Sequence, residues 1–440
     1  MDKLSYYNIV VPYGNNKLVY NTLTNSLVCL ENEEFETISQ LVADLEHFRS
    51  EYGELYDSFK KCGFFVEGDY DELNYIKFMN NKMVYENQKH HVTINPTLDC
   101  NLKCWYCSTE YSKTSHSGRM DEAMIEAVKN HMSLLINDLR IPALHLDWFG
   151  GEPLMYFDDV VAPISSHCNE LAKEHDVVFT QHATTNATYM YEEMMRRMTD
   201  LRFTSLQIAL DGNERRHDLI KRNSDKRGTF KKIVSNINLL PEIIPGISII
   251  LRINYDKRTL HGIEDIIPLI TDNAKKHISE DFQKVWQINC TSADYEQLAK
   301  VQTSFKACGF RVDNHLMTPK KFYSCYADRL HQYVINYDGR VFKCTARGYD
   351  ESRCVGSLSE DGTVKWKDGL LAYMYSSPAF NNPKCLSCKL LPVCMGPCIT
   401  KGIEMRKGGH GPDCFMDRFP HYAESHVVNE ARIRGLLPGA

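Results

Sequence analysis

Between residues 91 and 290, short apolar runs alternate regularly with longer amphipathic segments. The short runs are rich in β-branched and aromatic residues and predict strands, whereas the longer segments carry apolar residues at helical spacing. Strands that alternate with helices form a parallel sheet, because each helix carries the chain back to the start of the next strand. We therefore predict an α/β fold with a parallel sheet or a partial (β/α)6 barrel. The predicted strands are 91–97, 143–149, 177–184, 205–210, 246–253 and 284–289, and the predicted helices lie near 121–138, 158–174, 190–199, 229–240 and 262–277.

Residues 1–86 show a different pattern and predict a small domain of their own. Short β-rich runs at 7–12, 17–21 and 26–31 are separated by turn residues, and helical patterns follow at 33–46 and 51–61. Two helices with flanking β-ribbons indicate a winged-helix-like module. Such a module is either a scaffolding extension or a docking domain, since the edge of a small sheet can accept a peptide as an added strand.

The composition is that of an ordinary globular protein and narrows the function classes. The 440 residues are 43% hydrophobic and 25% charged with a net charge of −6, so no basic field favours nucleic acid or an anionic membrane as a partner. The first residues lack the pattern of a secretory signal, and no apolar run is long enough to span a bilayer, so we expect a cytoplasmic protein. In that compartment the 16 cysteines indicate metal binding or catalysis more than disulfides.

Three cysteines, Cys100, Cys104 and Cys107, directly follow the first predicted strand. Loops at the carboxyl ends of barrel strands are where active sites lie. Three thiolates cannot complete a tetrahedral zinc site, although His116 could supply the fourth ligand. They can instead hold three irons of a cubane cluster and leave the fourth iron without a protein ligand. The residues alone leave both alternatives open.

The spacing C-x3-C-x2-C, with Tyr106 before the last cysteine and a typical lead-in at 95–99, resembles the hallmark of the radical S-adenosylmethionine (SAM) superfamily. The resemblance implies a partial barrel over 91–305 in which the three cysteines hold a [4Fe–4S] cluster and form the catalytic centre. It also implies that the open iron binds SAM, with Tyr106 nearby, and that an electron from the cluster cleaves SAM to methionine and a 5′-deoxyadenosyl radical.

A second motif, Gly150-Gly151-Glu152-Pro153, ends the second predicted strand. Two glycines let the backbone approach a ligand closely, and the carboxylate of Glu152 can pair with an ammonium group. Taken alone, the same residues are explained by an ordinary turn. The resemblance implies that this motif binds the amino group of SAM.

Three more residues match family positions on the following strands. Asn186 follows the third predicted strand, Asp211 follows the fourth, and Arg252 lies on the fifth. The resemblance implies that Asn186 and Asp211 lie near SAM or substrate and that Arg252 reaches the SAM carboxylate. Asp211 is also a candidate general base by position, the alternative being that it fixes a strand-end turn.

A second group of seven cysteines lies in the C-terminal third of the chain. Taken alone, residues 385–398 could form a zinc site with four thiolates. The spacing over all seven positions resembles the SPASM domain, an extension of some radical SAM enzymes that holds two auxiliary [4Fe–4S] clusters. We place this domain at 315–420 and a C-terminal tail at 421–440. The seven cysteines are Cys325, Cys344, Cys385, Cys388, Cys394, Cys398 and Cys414.

The SPASM resemblance divides these cysteines between two clusters. It implies Cys325, Cys344 and Cys398 for the first auxiliary cluster, and it implies the other four cysteines for the second. The first cluster then lacks a fourth ligand. Either Cys308 or Cys354 supplies it, or one iron is open to a substrate such as a peptide thiolate.

SPASM enzymes mostly act on peptides, and residues 1–86 resemble the leader-recognition domains of enzymes that modify ribosomally made peptides. We therefore expect a radical SAM peptide maturase, an oxidoreductase that removes hydrogen from a precursor peptide and installs a carbon–carbon or thioether crosslink. The expected partners are that peptide, with its leader segment, and a reductant such as flavodoxin or ferredoxin.

Two other functions are weighed against this one. An anaerobic sulfatase maturase, which forms formylglycine, shares the same core. However, those enzymes carry an aspartate after the second SPASM cysteine, where this chain has Thr345, and they begin close to the first cysteine group. A non-catalytic iron–sulfur electron carrier would leave the motifs at 150–153 and Asp211 unexplained.

Overall fold

The computed structural model describes residues 1–107, 118–222, 227–285, 287–288, 292–312, 322–376, 379–406, 414 and 422–437. Their internal contacts divide the chain into two compact units. The first unit comprises Met1–Glu86, Leu316–Leu330 and Ala372–Ala440, and the second comprises Asn87–His315 and His331–Leu371. Residues 331–371, which the sequence grouped with the C-terminal domain, therefore belong to the same unit as the predicted barrel.

The first unit begins with a small sheet, a two-stranded ribbon and four helices. Its elements are β1 (Asp2–Leu4), β2 (Asn8–Tyr13), β3 (Asn16–Asn21), β4 (Ser26–Glu31), α1 (Asn32–Leu41), α2 (Leu45–Glu51), α3 (Gly53–Lys61), β5 (Phe65–Glu67) and α4 (Glu72–Tyr85). The strands β2, β3 and β4 form an antiparallel sheet in that order, and β1 pairs with β5. Asp44 accepts hydrogen bonds from the first turn of α2, so the helix predicted at 33–46 is interrupted there. Helix α4 was not predicted.

The second unit contains one eleven-stranded sheet. Its elements are β6 (His90–Ile94), α5 (Glu122–Ser133), β7 (Ala143–Trp148), α6 (Ala162–Glu174), β8 (Val178–Thr185), α7 (Glu192–Asp200), β9 (Phe203–Ala209), α8 (Glu214–Ile220), α9 (Phe230–Ile243), β10 (Ser248–Tyr255), α10 (Asp272–Lys275), β11 (Ile278–Lys284), α11 (Ser292–Ala307), β12 (Arg311–Val312), β13 (Gln332–Ile335), β14 (Arg340–Phe342), β15 (Gly356–Leu358) and β16 (Val364–Trp366). Strands β6 to β12 are parallel neighbours in chain order, which confirms the predicted α/β class. Strand β13 pairs parallel with β6, and β14 to β16 continue the sheet in antiparallel pairs.

Two predicted elements differ from the structure. The sixth strand runs from Ile278 to Lys284 and not over 284–289, because the buried Glu280 and Asp281 conceal it from a search for apolar runs. The helix predicted at 262–277 is a 3₁₀ helix at Ile263–Leu269 followed by α10. Pro268 lacks an N–H group and Thr271 caps α10, so a continuous helix does not form.

The inner face of the parallel strands is polar. Along β7, β8 and β10 every second residue is buried, and the residues between them are partly accessible. The partly accessible positions Asp147, Thr184 and Asn254 line a common cavity. Since parallel strands in chain order present their carboxyl ends at one edge, the loops after them meet at that cavity.

The C-terminal helices of the chain are short. They are α12 (Asp368–Met374), α13 (Pro383–Leu386), α14 (Leu391–Cys394), α15 (Ile399–Arg406) and α16 (Tyr422–Ile433). Within the first unit, Val427 and Ala431 of α16 pack with Leu18 and Tyr20 of β3. Among the described helices, none has the length and apolar character needed to cross a membrane.

Candidate active site

The three cysteines of the first group face one cavity of the second unit. Cys100, Cys104 and Cys107 lie on the loop that follows β6, and all three line a cavity of about 420 Å³. Gly150, Gly151, Asn186 and Arg252 line the same cavity. The structure therefore brings together residues that the sequence placed on four different strands or loops.

Gly150 and Gly151 allow the loop after β7 to pack against the start of the cysteine loop. A Cβ atom added at Gly150, where φ is +113°, would lie 2.2 Å from the Thr97 carbonyl oxygen. A Cβ atom added at Gly151 would lie 2.0 Å from the Asp99 carbonyl oxygen. The N–H of Gly151 donates to the Thr97 oxygen at 3.1 Å. The close approach expected from the sequence is thus made to the polypeptide before Cys100.

Glu152 is fully buried and joins the ends of β7 and β8. Its carboxylate accepts hydrogen bonds from Leu154 N at 3.0 Å, from Thr185 Oγ1 at 2.7 Å and from Asn186 N at 2.7 Å. Burial raises the pKa of Glu152, against the opposing effect of these donors. The structure shows Glu152 as a link between two loops, and its contact with SAM stays a prediction.

Asn186 is hydrogen-bonded to the cysteine loop. Its Nδ2 donates to Asn101 Oδ1 at 2.9 Å and lies 3.7 Å from Cys100 Sγ, and its Oδ1 accepts from Thr188 N at 2.9 Å. These contacts hold Cys100 toward the cavity.

Asp211 belongs to a buried network that the sequence did not reveal. Its carboxylate accepts hydrogen bonds from the Tyr106 hydroxyl and from Asn254 N, the latter at 3.1 Å. Lys221 Nζ lies 3.7 Å from Asp211 Oδ2 and 3.9 Å from Cys104 Sγ. The Asp211 side chain has no exposed surface, so the geometry favours its alternative role in fixing the strand end.

Burial and neighbouring charges shift the pKa values of two side chains in this network. Burial alone would lower the pKa of Lys221, but Asp211 and Cys104 outweigh it and hold that pKa well above its usual value. Burial raises the pKa of Tyr106, which therefore remains a neutral donor to Asp211. Lys221 and Asn254 were missed because neither lies in a motif; only the fold places them beside Cys104 and Tyr106.

Arg252 lies on the inner face of β10, where it can reach a ligand. Its Nη1 is 3.6 Å from Asp281 Oδ2 on β11, and its Nε donates to Asn254 Oδ1 at 3.1 Å. About a third of its side chain is exposed (32%). Asp281 was missed because the sixth strand was predicted too far along the chain.

The donor set fits an iron–sulfur cluster with SAM. Burial raises the pKa of Cys100 to about 12 and also raises that of Cys104, so these thiols must release protons on binding a metal. These three cysteines would hold three irons of a cubane cluster and leave the fourth iron without a protein ligand, free to bind SAM. The cavity adds backbone at Gly150 and Gly151 and a cation at Arg252, which suit the amino and carboxylate groups of SAM.

The first unit holds two sets of cysteines from the second group. Cys325 and Cys398 interact directly, and this contact together with burial raises the pKa of Cys398. Asp328 positions both, because its carboxylate accepts from Cys325 N at 2.8 Å and from Ile399 N at 2.9 Å. The third predicted ligand, Cys344, belongs to the second unit, so its place in this set stays a prediction.

Cys385, Cys388 and Cys394 lie on or beside the short helices α13 and α14. Burial and the neighbouring thiols Cys388, Cys385 and Cys414 together raise the pKa of Cys394 to about 11. This mutual influence shows that the four thiols predicted for the second auxiliary cluster lie near one another.

The two candidates for the missing fourth ligand differ in environment. Cys308 is exposed just after α11, whereas Cys354 is buried in an apolar cluster with Leu98 and Phe342. The Cys354 thiol donates to the Gly356 oxygen at 3.1 Å. Cys354 therefore has the environment of a core side chain. His116, the possible zinc ligand, lies outside the described residues.

Comparison with known proteins supports one family. Residues 94–270 match the model of the Radical SAM superfamily. The chain is 21% identical over 361 residues to the cysteine-type anaerobic sulfatase-maturating enzyme of Clostridium novyi (strain NT), covering 75% of this chain and 92% of that enzyme. It is 20% identical over 457 residues to the radical SAM cyclopropyl synthase TigE of Paramaledivibacter caminithermalis, covering 94% and 92%.

A solved structure has a similar fold. The structure of Streptococcus suis SuiB bound to precursor peptide SuiA matches with a TM-score of 0.54 at 15% identity, covering 94% of this chain and 100% of that chain. The family match spans β7 to β10, including Arg252, and the loops that carry the three cysteines and the two glycines. Residues 94–270 of this chain therefore form a radical SAM domain, the fold that binds SAM and a [4Fe–4S] cluster.

Proposed function

We propose that this protein is a radical SAM maturase that crosslinks a ribosomally made precursor peptide. The observation that carries the proposal is the extent of the similarity. The alignments with TigE and SuiB cover 94% of this chain, whereas the alignment with the sulfatase-maturating enzyme covers 75%. The SuiB structure contains a bound precursor peptide, and TigE is a cyclopropyl synthase. We extend peptide modification from these relatives to this chain.

In this proposal Cys100, Cys104 and Cys107 hold the cluster, and Gly150, Gly151, Asn186 and Arg252 orient SAM over it. A cluster with SAM bound supplies a 5′-deoxyadenosyl radical, which can remove hydrogen from an unactivated carbon. The buried Asp211 and Lys221 lie beside the cavity and hold Tyr106 and the cysteine loop in place.

The N-terminal sheet is the proposed docking site for the leader segment of the peptide. Strands β2 and β4 each pair only with β3 among the described residues, so each has one edge without a strand partner. Helix α16 packs against this sheet through Val427 and Ala431, which leaves strand addition at an edge as the favoured mode. A docked leader would tether the remainder of the peptide to the enzyme and so raise its effective concentration.

A crosslink between two residues removes two hydrogen atoms from the peptide. One is transferred to the 5′-deoxyadenosyl group, and the other leaves as a proton and an electron. In this proposal Cys385, Cys388, Cys394 and Cys414 hold an auxiliary cluster, and Cys325 and Cys398 contribute to another, so that the surplus electron has an acceptor. A small reductant such as flavodoxin or ferredoxin would supply the first electron.

Formylglycine formation is the second candidate, since the sulfatase-maturating enzyme aligns over 92% of its own length. Sulfatase maturases are expected to carry an aspartate base directly after the second SPASM cysteine. Here that position is Thr345, and Thr345 does line the cavity. A threonine hydroxyl is a poor proton acceptor at neutral pH, which favours the crosslinking reaction.

The test uses the full chain, purified without oxygen and reconstituted with iron and sulfide. With SAM, a reductant and a candidate precursor peptide, sought among short reading frames beside this gene, we expect 5′-deoxyadenosine and a peptide lighter by about 2 Da, the two hydrogens lost on crosslinking. Cys104→Ala should abolish both products, and the exposed Cys62→Ala should retain them as the matched control. A carbonyl group on a cysteine or serine of the peptide would instead support formylglycine formation, and no 5′-deoxyadenosine from cluster-loaded protein would refute both.

A further inference from the structure

A cluster of histidines and one aspartate lies on the inner face of the second unit, apart from the cysteine loop. His91 on β6 lies opposite His145 on β7, and Asp147 on β7 lies opposite His182 on β8. His91 Nε2 is 2.6 Å from Asp147 Oδ2, and His145 Nε2 is 3.6 Å from Asp147 Oδ1. The function proposed above uses none of these residues.

From this geometry we propose that His91, His145 and Asp147 form a binding site for a divalent transition-metal ion such as Zn²⁺. One ligand atom from each residue lies within 4.8 Å of the other two. In a tetrahedral site with bonds of about 2.0–2.1 Å, ligand atoms are about 3.4 Å apart, so small side-chain shifts complete the geometry. Two imidazoles and a carboxylate are an established ligand type for zinc and ferrous iron.

The second nitrogen of each imidazole is held by a polar partner, as in known metal sites. Thr180 Oγ1 lies 2.7 Å from His145 Nδ1, and Gln332 Nε2 lies 3.1 Å from His91 Nδ1. The Gln332 amide can turn to present its oxygen, which would leave the His91 Nε2 lone pair for the metal. These partners fix the ring orientations before any ion binds.

The site would have an open coordination position toward the cavity. Asp147 and His182 line that cavity, and His91 and His145 are not part of its lining. The His182 ring is held through Nδ1 by Ser205 Oγ at 2.7 Å. Three protein ligands with a fourth position facing a cavity are typical of zinc sites that bind water or substrate. The metal would thus bind a peptide thiolate, a carboxylate or a water in the cavity that the cysteine loop also lines.

The experiment measures zinc directly and does not depend on turnover. The full chain with reconstituted clusters is incubated with zinc and passed through a desalting column, and zinc and iron are then counted by mass spectrometry. We expect about one retained zinc per chain, with nitrogen and oxygen neighbours at about 2.0 Å in zinc X-ray absorption, as distinct from the sulfur neighbours at about 2.3 Å of a cysteine site. His145→Ala should remove this zinc and leave the iron content unchanged.

The exposed His175→Ala is the matched control and should retain the zinc. A second variant, Asp147→Asn, keeps the side-chain size and covers the case that His145→Ala does not fold; it should also lose the zinc while the iron content persists. Thr180→Val should weaken zinc binding about 10-fold, the effect expected for a residue that only orients a ligand. Zinc that is absent from the wild type, bound by sulfur alone or retained in His145→Ala would overturn the proposal. Since the readout is bound metal, failure of the crosslinking assay would not affect it.

Discussion

Glu280 on β11 predicts a strong dependence of stability on pH. Its side chain is fully buried, and within the described residues neither carboxylate oxygen has a hydrogen-bond partner. It lies beside Leu251 of β10, and on the same face of β11 the ring of Phe282 packs against Phe305 of α11 at 5.8 Å. Burial raises the pKa of Glu280 to about 9, so the folded protein carries it protonated at neutral pH.

The sign of the effect follows from proton binding. In the unfolded chain the carboxyl ionises above a pKa of 4.5, whereas in the folded protein it stays protonated up to a pKa of about 9. Between these values unfolding releases a proton, so the free energy of unfolding falls by about 1.4 kcal/mol for each pH unit. From pH 6 to pH 8 this residue alone should lower the stability by about 2.7 kcal/mol, or about 3 °C in Tm for a chain of this size.

The assay compares Tm at pH 6 and pH 8 for the wild type, Glu280→Gln and a control, all cluster-loaded and without oxygen. The amide of Glu280→Gln is neutral at every pH, so this variant should lack the fall of about 3 °C. The control, Glu170→Gln, changes an exposed carboxylate on α6 and should keep the wild-type dependence. An unchanged fall in Glu280→Gln would refute the reasoning, since the carboxyl would then not be buried in its neutral form.

Three more variants test the candidate site. Gly151→Ala should lower the iron content sharply, because its Cβ would lie 2.0 Å from the Asp99 oxygen, whereas Gly53→Ala, which has open space, should not. Lys221→Met should lower the free energy of unfolding by about 3–5 kcal/mol, because it leaves Asp211 buried without its cation. Adding Asp211→Asn to this variant should restore part of that loss. If the effects of the two substitutions simply add, the two side chains do not interact. Asp328→Ala should lower the free energy of unfolding by about 1–3 kcal/mol, because it removes the acceptor for Cys325 N and Ile399 N. It should also lower the iron content of the auxiliary clusters without changing SAM binding. An iron content equal to that of the wild type would contradict this role.

Much of the candidate site was predictable because its chemistry is local in sequence. Cys100, Cys104 and Cys107 lie on one loop, and their spacing is set by the cluster that they are expected to hold. Five of the six strands predicted within 91–290 coincide with observed strands over more than half of their length, because apolar residues recur along them, and the order of elements indicated a parallel sheet. Glu280 and Asp281 concealed the sixth strand, because a buried carboxylate has no apolar signature.

The tertiary structure decided which side chains meet. Lys221 lies beside Cys104 and Asp211 because the loops after the parallel strands converge on one cavity. His91 lies beside Asp147 because of the register between β6 and β7. The structure also showed that the Glu152 carboxylate accepts hydrogen bonds from Thr185 and Asn186. Sequence by itself thus determined the class of fold and indicated the chemistry expected of the first three cysteines, because these depend on periodicity and short spacing. Contacts between strands depend on hydrogen-bond register across many residues of separation, and no local pattern encodes that register.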